Sequence, residues 1–97
     1  MEAPSLTLGT RLVVTKDQVS ANVAGESVIL GMRDGVYYGL DPVATRIWEL
    51  LHTPTTLETV LGAITAEFDV SREQATNDLL AFANDLLAHG LVDRVGG

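Results

Sequence analysis

Side chains able to do chemistry are few in this chain, and their spacing does not bring them together. The two histidines, His52 and His89, each fall where a helical pattern ends, and there an imidazole complements the exposed carbonyls of the last turn. Neither has a second histidine four residues away, the spacing that puts two ring nitrogens on one helical face for a metal. Cysteine is absent, which excludes thiolate metal sites, disulfides and cysteine nucleophiles. No serine occupies a nucleophile elbow. Gly31, Gly35 and Gly39 recur in strand and turn contexts and match no phosphate- or dinucleotide-binding loop; glycines in strands mark bulges or a close backbone approach. Glu67 and Asp69 flank a turn and read as solvated charge. The expectation is a protein with no catalytic residues, no metal and no cofactor. What remains is main-chain hydrogen bonding combined with apolar contact, which is the chemistry of recognition.

The elements that would carry such recognition can be read from periodicity. Met1 to Gly9 shows little pattern, and Leu12, Val13 and Val14 add a short strand of unfixed register. Residues 1–18 are therefore expected to be an N-terminal tail and 19–97 the folded domain. Val19, Ala21 and Val23 alternate with Ser20 and Asn22, the period of a half-buried strand, and Ala24-Gly25-Glu26 supplies a turn. Ser27 to Met32 is nearly continuous in apolar residues, as in a strand covered on both faces. Asp34-Gly35 is a type I′ hairpin signal, and Val36 to Leu40 is the returning strand. Asp41-Pro42 starts a helix that runs to about Leu51 before Thr53-Pro54. Thr55 with Glu58 and Ser71 with Gln74 match capping boxes for two more helices, the last ending near His89 with Gly90 as its stop. Leu91 to Val95 reads as a short extended tail. Strands followed by helices make an α+β class, a three-stranded antiparallel sheet followed by three helices.

The last strand of that meander is an edge, and an edge presents unpaired donors and acceptors to a visiting chain. In the third helix Ala75, Leu79, Phe82 and Leu86 form one apolar stripe and Leu80, Ala83 and Leu87 a second beside it. One stripe suffices for a core, so the second is free either to be buried as well or to line a groove against the edge strand. Periodicity then nominates Val36, Tyr37, Tyr38, Gly39 and Leu40 on the strand, and Leu79, Leu80, Phe82, Ala83 and Leu86 on the helix, as the peptide-binding set. Alternation sends Tyr37 and Tyr38 to opposite faces.

Composition narrows the partners. The chain has 97 residues, 46% hydrophobic and 20% charged, with a formal net charge of -7, which fits one globular domain. That charge opposes a nucleic-acid backbone, and Arg11, Lys16, Arg33, Arg46, Arg72 and Arg94 are scattered singly. No apolar run approaches a membrane span and no signal-peptide layout opens the chain, so the default expectation is cytoplasmic with no membrane association. A DNA-binding winged helix, with the second and third helices as a helix-turn-helix, is the alternative by topology. It fares poorly because the third helix sets Arg72 against Glu73, Asp78 and Asp85. An accessory subunit that uses its sheet edge on another enzyme is a third reading.

Four stretches resemble a known family: Asp34 through Tyr37-Tyr38, Asp41-Pro42 and Ile47-Trp48-Glu49 to Leu51; Thr56-Leu57-Glu58; Phe68-Asp69-Val70-Ser71; and Leu87-Ala88-His89-Gly90-Leu91-Val92. Over about residues 19 to 95 they resemble the PqqD-like proteins, with Tyr37-Tyr38 and Ile47-Trp48-Glu49 similar to the stand-alone leader-binding proteins of lasso-peptide biosynthesis. The resemblance implies a winged-helix-like RiPP recognition element. Such a domain binds the leader of a ribosomally made precursor as an added strand between the third strand and third helix. It would present the precursor to a separate leader peptidase, with a cyclase acting afterwards.

Overall fold

Residues 6–16, 18–23, 26–32, 35 and 37–96 are described by a computed structural model. They run β1 (Arg11–Val14), β2 (Gln18–Val23), β3 (Glu26–Gly31), β4 (Tyr37–Leu40), α1 (Pro42–Leu50), β5 (Thr55–Thr56), α2 (Leu57–Glu67), α3 (Arg72–Ala88) and β6 (Val92–Arg94). The expected meander is the antiparallel sheet β2-β3-β4, and three helices follow it as the α+β reading requires.

Two details of the meander differ from expectation. A two-residue turn at Asp34-Gly35 would pair position 31 with 38, whereas Ile29 pairs with Tyr38 and Leu30 with Tyr37. The connection is therefore longer, and Gly35 takes φ 69 while its N–H donates to the Gly31 carbonyl at 2.8 Å. Asp34 lies outside the described residues, as do Ala24 and Gly25. A shift of two residues preserves side-chain parity, so the faces of β4 are unaffected. The second difference is on β2, where the apolar side of the alternation was expected to face inward. Ser20 pairs with Ile29, which is fully buried, while Val19 lies in a row with Leu30 and Tyr37 and is 52% exposed. Directly paired residues share a face, so Val19 and Ala21 lie on the Tyr37 face of the sheet and Ser20 and Asn22 on the Ile29 face, where both stay exposed.

A second sheet, β5-β1-β6, was not foreseen. β1 pairs antiparallel with β6 through Leu12↔Arg94, Val13↔Asp93 and Val14↔Val92, and with β5 through Arg11↔Thr56 and Leu12↔Thr55. These pairings fix the register of the short strand expected at Leu12 to Val14, and Leu91 to Val95 is more than an extended end. Leu12 is fully buried with Leu91 and Val92. The same stretch also finishes the helices. The Leu57 and Glu58 N–H groups donate to the carbonyls of Thr10 and Leu8, at 3.0 and 2.8 Å, and Val14 N–H donates to Leu51 O at 2.9 Å. These bonds satisfy backbone groups that a helix end leaves unpaired.

Helix starts follow the sequence signals with one displacement. Asp41 caps α1 by accepting from Ala44 N at 2.7 Å, and Ser71 caps α3 by accepting from Gln74 N at 3.1 Å. For α2 the cap is Thr56 rather than Thr55, because pairing with β1 keeps Thr55 extended; Thr56 Oγ1 accepts from Thr59 N. α3 closes with Gly90 at φ 70, where Leu91 N–H donates to Leu86 O and Gly90 N–H to Leu87 O. That is a Schellman motif, and its apolar contact is made by Leu86 and Leu91, both fully buried. Arg46 of α1 grips both oxygens of Glu67 at the end of α2, at 2.9 and 3.1 Å. The hydrogen bond and charge of Glu67 raise the guanidinium pKa above its ordinary value. Among the described residues no polar or charged side chain is buried, and no helix is long and apolar enough to cross a membrane.

Leu12→Ala is expected to lower the unfolding free energy by about 2–5 kcal/mol, as for other fully buried leucines. Urea unfolding followed by Trp48 fluorescence measures this, and a loss below about 1 kcal/mol would mean that β1 is dispensable to the core.

Candidate functional site

The site is built from the free side of β4 and the two helices next to it in space. β4 pairs with β3 and, among the described residues, carries no strand on its other side. In an antiparallel pair alternate residues direct N–H and C=O away from the partner, so this side of β4 is a row of main-chain groups open to a visitor. Tyr37 and Gly39 face out, with Tyr37 70% exposed, while Tyr38 and Leu40 face in. The opposite facing of the two tyrosines is as expected. Val36 lies outside the described residues.

Contacts at both ends fix the relation of α3 to β4. The Tyr38 ring meets the His89 ring edge-on, with centroids 5.4 Å apart and planes at 70°. Beyond the other end of the strand, Asp41 lines a groove with Ala75, Asp78, Leu79 and Phe82 of α3. α3 therefore runs antiparallel to β4, with its C-terminal end beside Tyr38. The groove, about 410 Å³, includes Asp41, which follows the last residue of β4, and is walled by Val43, Ala44 and Ile47 of α1, with Ile64 and Val70 completing it. Its volume is in the range of small-ligand pockets, about 300–1,000 Å³, and its walls and floor are apolar.

The nominated α3 residues separate by position. Leu79 forms part of the groove floor and Phe82, half-buried, forms a wall. Ala83 and Leu86 are fully buried with Ala75 in the core, so they offer no side-chain surface to a visitor. Leu80 and Leu87 pack partly buried against the core without lining the groove. The core stripe is thus Ala75, Leu79, Ala83 and Leu86, and the groove opens on the Phe82 flank rather than beside Leu80, Ala83 and Leu87. Small Ala83 fits the centre of the packed face, where bulky Phe82 has moved to the side. The α1 wall was missed because Val43, Ala44 and Ile47 carry the same apolar signal as any core-facing first turn.

The histidines stay at the helix ends. A carbonyl only accepts, so the 2.9 Å contact between His52 Nδ1 and Trp48 O requires a proton on Nδ1. His89 caps α3 through its backbone N–H, bonded to Asp85 O. Among the described residues no three or more His, Asp or Glu side chains gather as a metal site.

The profile of coenzyme PQQ synthesis protein D (PqqD) matches residues 26–92, from β3 into β6. TbiB1, solved in complex with the TbiA(beta) leader peptide, superposes with a TM-score of 0.74 at 34% sequence identity, covering 88% of this chain and 99% of that one. A lasso peptide synthetase B1 complexed with a leader peptide superposes with a TM-score of 0.73 at 24% identity, over 84% of this chain and 96% of that one, a likeness of fold. No curated protein sequence matches significantly.

Core and edge make opposite stability predictions. Leu86→Ala should cost about 2–5 kcal/mol, whereas Tyr37→Ala should stay within about 1 kcal/mol because only strand propensity is lost. Equal losses in urea titrations of the two variants would show that the outward face of β4 is packed against something and is not open.

Proposed function

The chain belongs to the PqqD family, and on that footing we propose that it is a non-catalytic recognition subunit that binds the leader of a ribosomally synthesised precursor, of lasso-peptide type, as a strand added to β4. The observation that carries this reading is the open side of β4 together with an apolar groove between α1 and α3 that Asp41, the residue directly after β4, helps to line. Main-chain bonds along β4 give affinity to any extended segment, and the groove selects among side chains. The leader-bound state of TbiB1, at 34% identity over most of this chain, supports the same ligand class here.

In this reading Tyr37, Tyr38, Gly39 and Leu40 offer the main-chain groups of the strand, and side-chain contact comes from Tyr38 and from Leu79 and Phe82 of α3. Val43, Ala44, Ile47 and Val70 join them. Leu80 stands at the margin, while Ala83 and Leu86 act from beneath by holding α3 in place.

Delivery to a separate leader peptidase, and through it to a cyclase, fits the outer face of the sheet. Two cross-strand rows there, Val19-Leu30-Tyr37 and Ala21-Val28-Gly39, contain no charge. Val19, Met32 and Tyr37 are the large apolar residues most exposed among those described. A continuous apolar sheet face marks a protein interaction site. A leader paired to β4 would add its own outward side chains to these rows, so that the peptidase meets a surface completed by its substrate. Nucleic acid is a poor fit: the exposed face of α3 bears Glu73, Asp78 and Asp85, and its Arg72 is already bound to Glu58 at 2.9 Å.

A synthetic leader from the co-encoded precursor gene should bind with a dissociation constant between nanomolar and micromolar. Backbone N-methylation scanned along that peptide leaves the protein untouched and should abolish binding at every second position of one segment. Tolerance of the methyl group at all positions would overturn strand addition. On the other face, Val19→Lys should leave leader affinity unchanged and slow leader removal by the peptidase; unaltered cleavage would move the peptidase contact elsewhere.

A further inference from the structure

The groove between α1 and α3 is apolar inside and acidic at its margin. Its floor is made by Ile47, Ala75 and Leu79, all buried, and Phe82 stands half-buried at one wall. Among the described residues the charged ones that line it are Asp41 and Asp78, both exposed, and no lysine, arginine or histidine does so. Among the described residues no cation forms an ion pair with either carboxylate. Asp41 uses Oδ1 to cap α1, and Asp78 accepts from the neutral Gln74 amide at 3.0 Å to each oxygen. The nearby guanidinium groups are engaged elsewhere, Arg46 with Glu67 and Glu49 and Arg72 with Glu58. A carboxylate has room for about four hydrogen bonds, so both retain capacity. The formal net charge of -7 adds a field of the same sign.

We propose that this groove selects leader segments in which a bulky apolar side chain is accompanied, within about two residues, by a lysine or arginine that Asp41 and Asp78 hold. The inference rests on the leader-binding reading and adds a sequence preference to it. The apolar side chain fills the space over Leu79 beside Phe82. An extended chain advances about 3.3 Å per residue, so a long cationic side chain one or two positions away reaches the margin of the groove while its methylene stem covers apolar wall. An acidic residue at the same place would face two like charges and is selected against. Asp41 follows directly on Leu40, the last residue of β4, so this selection acts where the paired segment of the guest leaves the ladder.

A displayed library of random 12-residue peptides, selected on the full chain, reads the preference without knowledge of the natural leader. Three proteins are compared: the native chain, the double variant Asp41→Asn with Asp78→Asn, and a control of equal charge change, Glu73→Gln with Asp93→Asn, outside the groove. Asparagine caps a helix as well as aspartate does, so folding is preserved; thermal unfolding checks this. The native chain and the control should enrich an apolar residue with Lys or Arg close by. The Asn variant should keep the apolar residue and lose the basic one. In a synthetic consensus peptide, Lys→norleucine should weaken binding to the native chain about three- to tenfold at low salt, and to the Asn variant less than twofold. Apolar enrichment without basic enrichment, or basic enrichment that persists in the Asn variant, overturns this inference and leaves leader binding standing. Failure of the native chain to enrich any peptide overturns both.

Discussion

Backbone donors and acceptors at the side of a strand must be met by water, by the chain itself or by a guest. Among the described residues the strands that could have met them from within are committed elsewhere. Those nearest the two ends of the chain, β1 and β6, pair with each other and with β5 in a separate sheet. Had either lain along β4 instead, the position for an added strand would be filled. The separation into two sheets therefore matters for binding as well as for stability. It buries Leu12, Leu91 and Val92 in the core and leaves β4 at a margin.

The helices convert that margin into a site with a defined shape. The Schellman turn at Gly90 sends the chain from α3 back toward β1, and this return sets the end of α3 under β4, where His89 meets Tyr38. At the other end, Asp41 performs two tasks at once. Its carboxylate caps α1, and its place directly after Leu40 puts the first turn of α1 beside α3. The groove is thus a consequence of how tightly strand and helix are joined, with Val70 of the α2–α3 connection completing it. β2 also has, among the described residues, a side that pairs with no strand. It differs from β4 in having neither the α3 end nor the groove at its end.

Much of this architecture was legible in the residues, and the failures have physical causes. Caps at Asp41 and Ser71 and the stop at Gly90 were readable because each rests on local chemistry: a side-chain oxygen for free N–H groups, or a residue that tolerates positive φ. The second sheet was not, since β1, β5 and β6 are short and their pairing joins residues far apart in sequence. The same cause displaced the α2 cap from Thr55 to Thr56. β2 misled because alternation reveals that two faces differ without revealing which one is covered, and here both sides of the sheet carry apolar residues. On α3 the strand side of the site could be placed from the edge argument, whereas the helical side could not: Phe82 and Ala83 are adjacent and both apolar, and only packing decides that the smaller goes inside. The acidic margin of the groove escaped notice because Asp41 and Asp78 are far apart in sequence and meet only in the folded chain.

Amide hydrogen exchange, resolved by residue in the presence and absence of the leader, tests the central claim most directly. Alternate amides of β4 among Tyr37, Tyr38, Gly39 and Leu40 should exchange rapidly in the free protein and become protected when the leader binds, with β2 unaffected. Protection that appears on β2, or binding that leaves every β4 amide exchanging as before, would contradict the account.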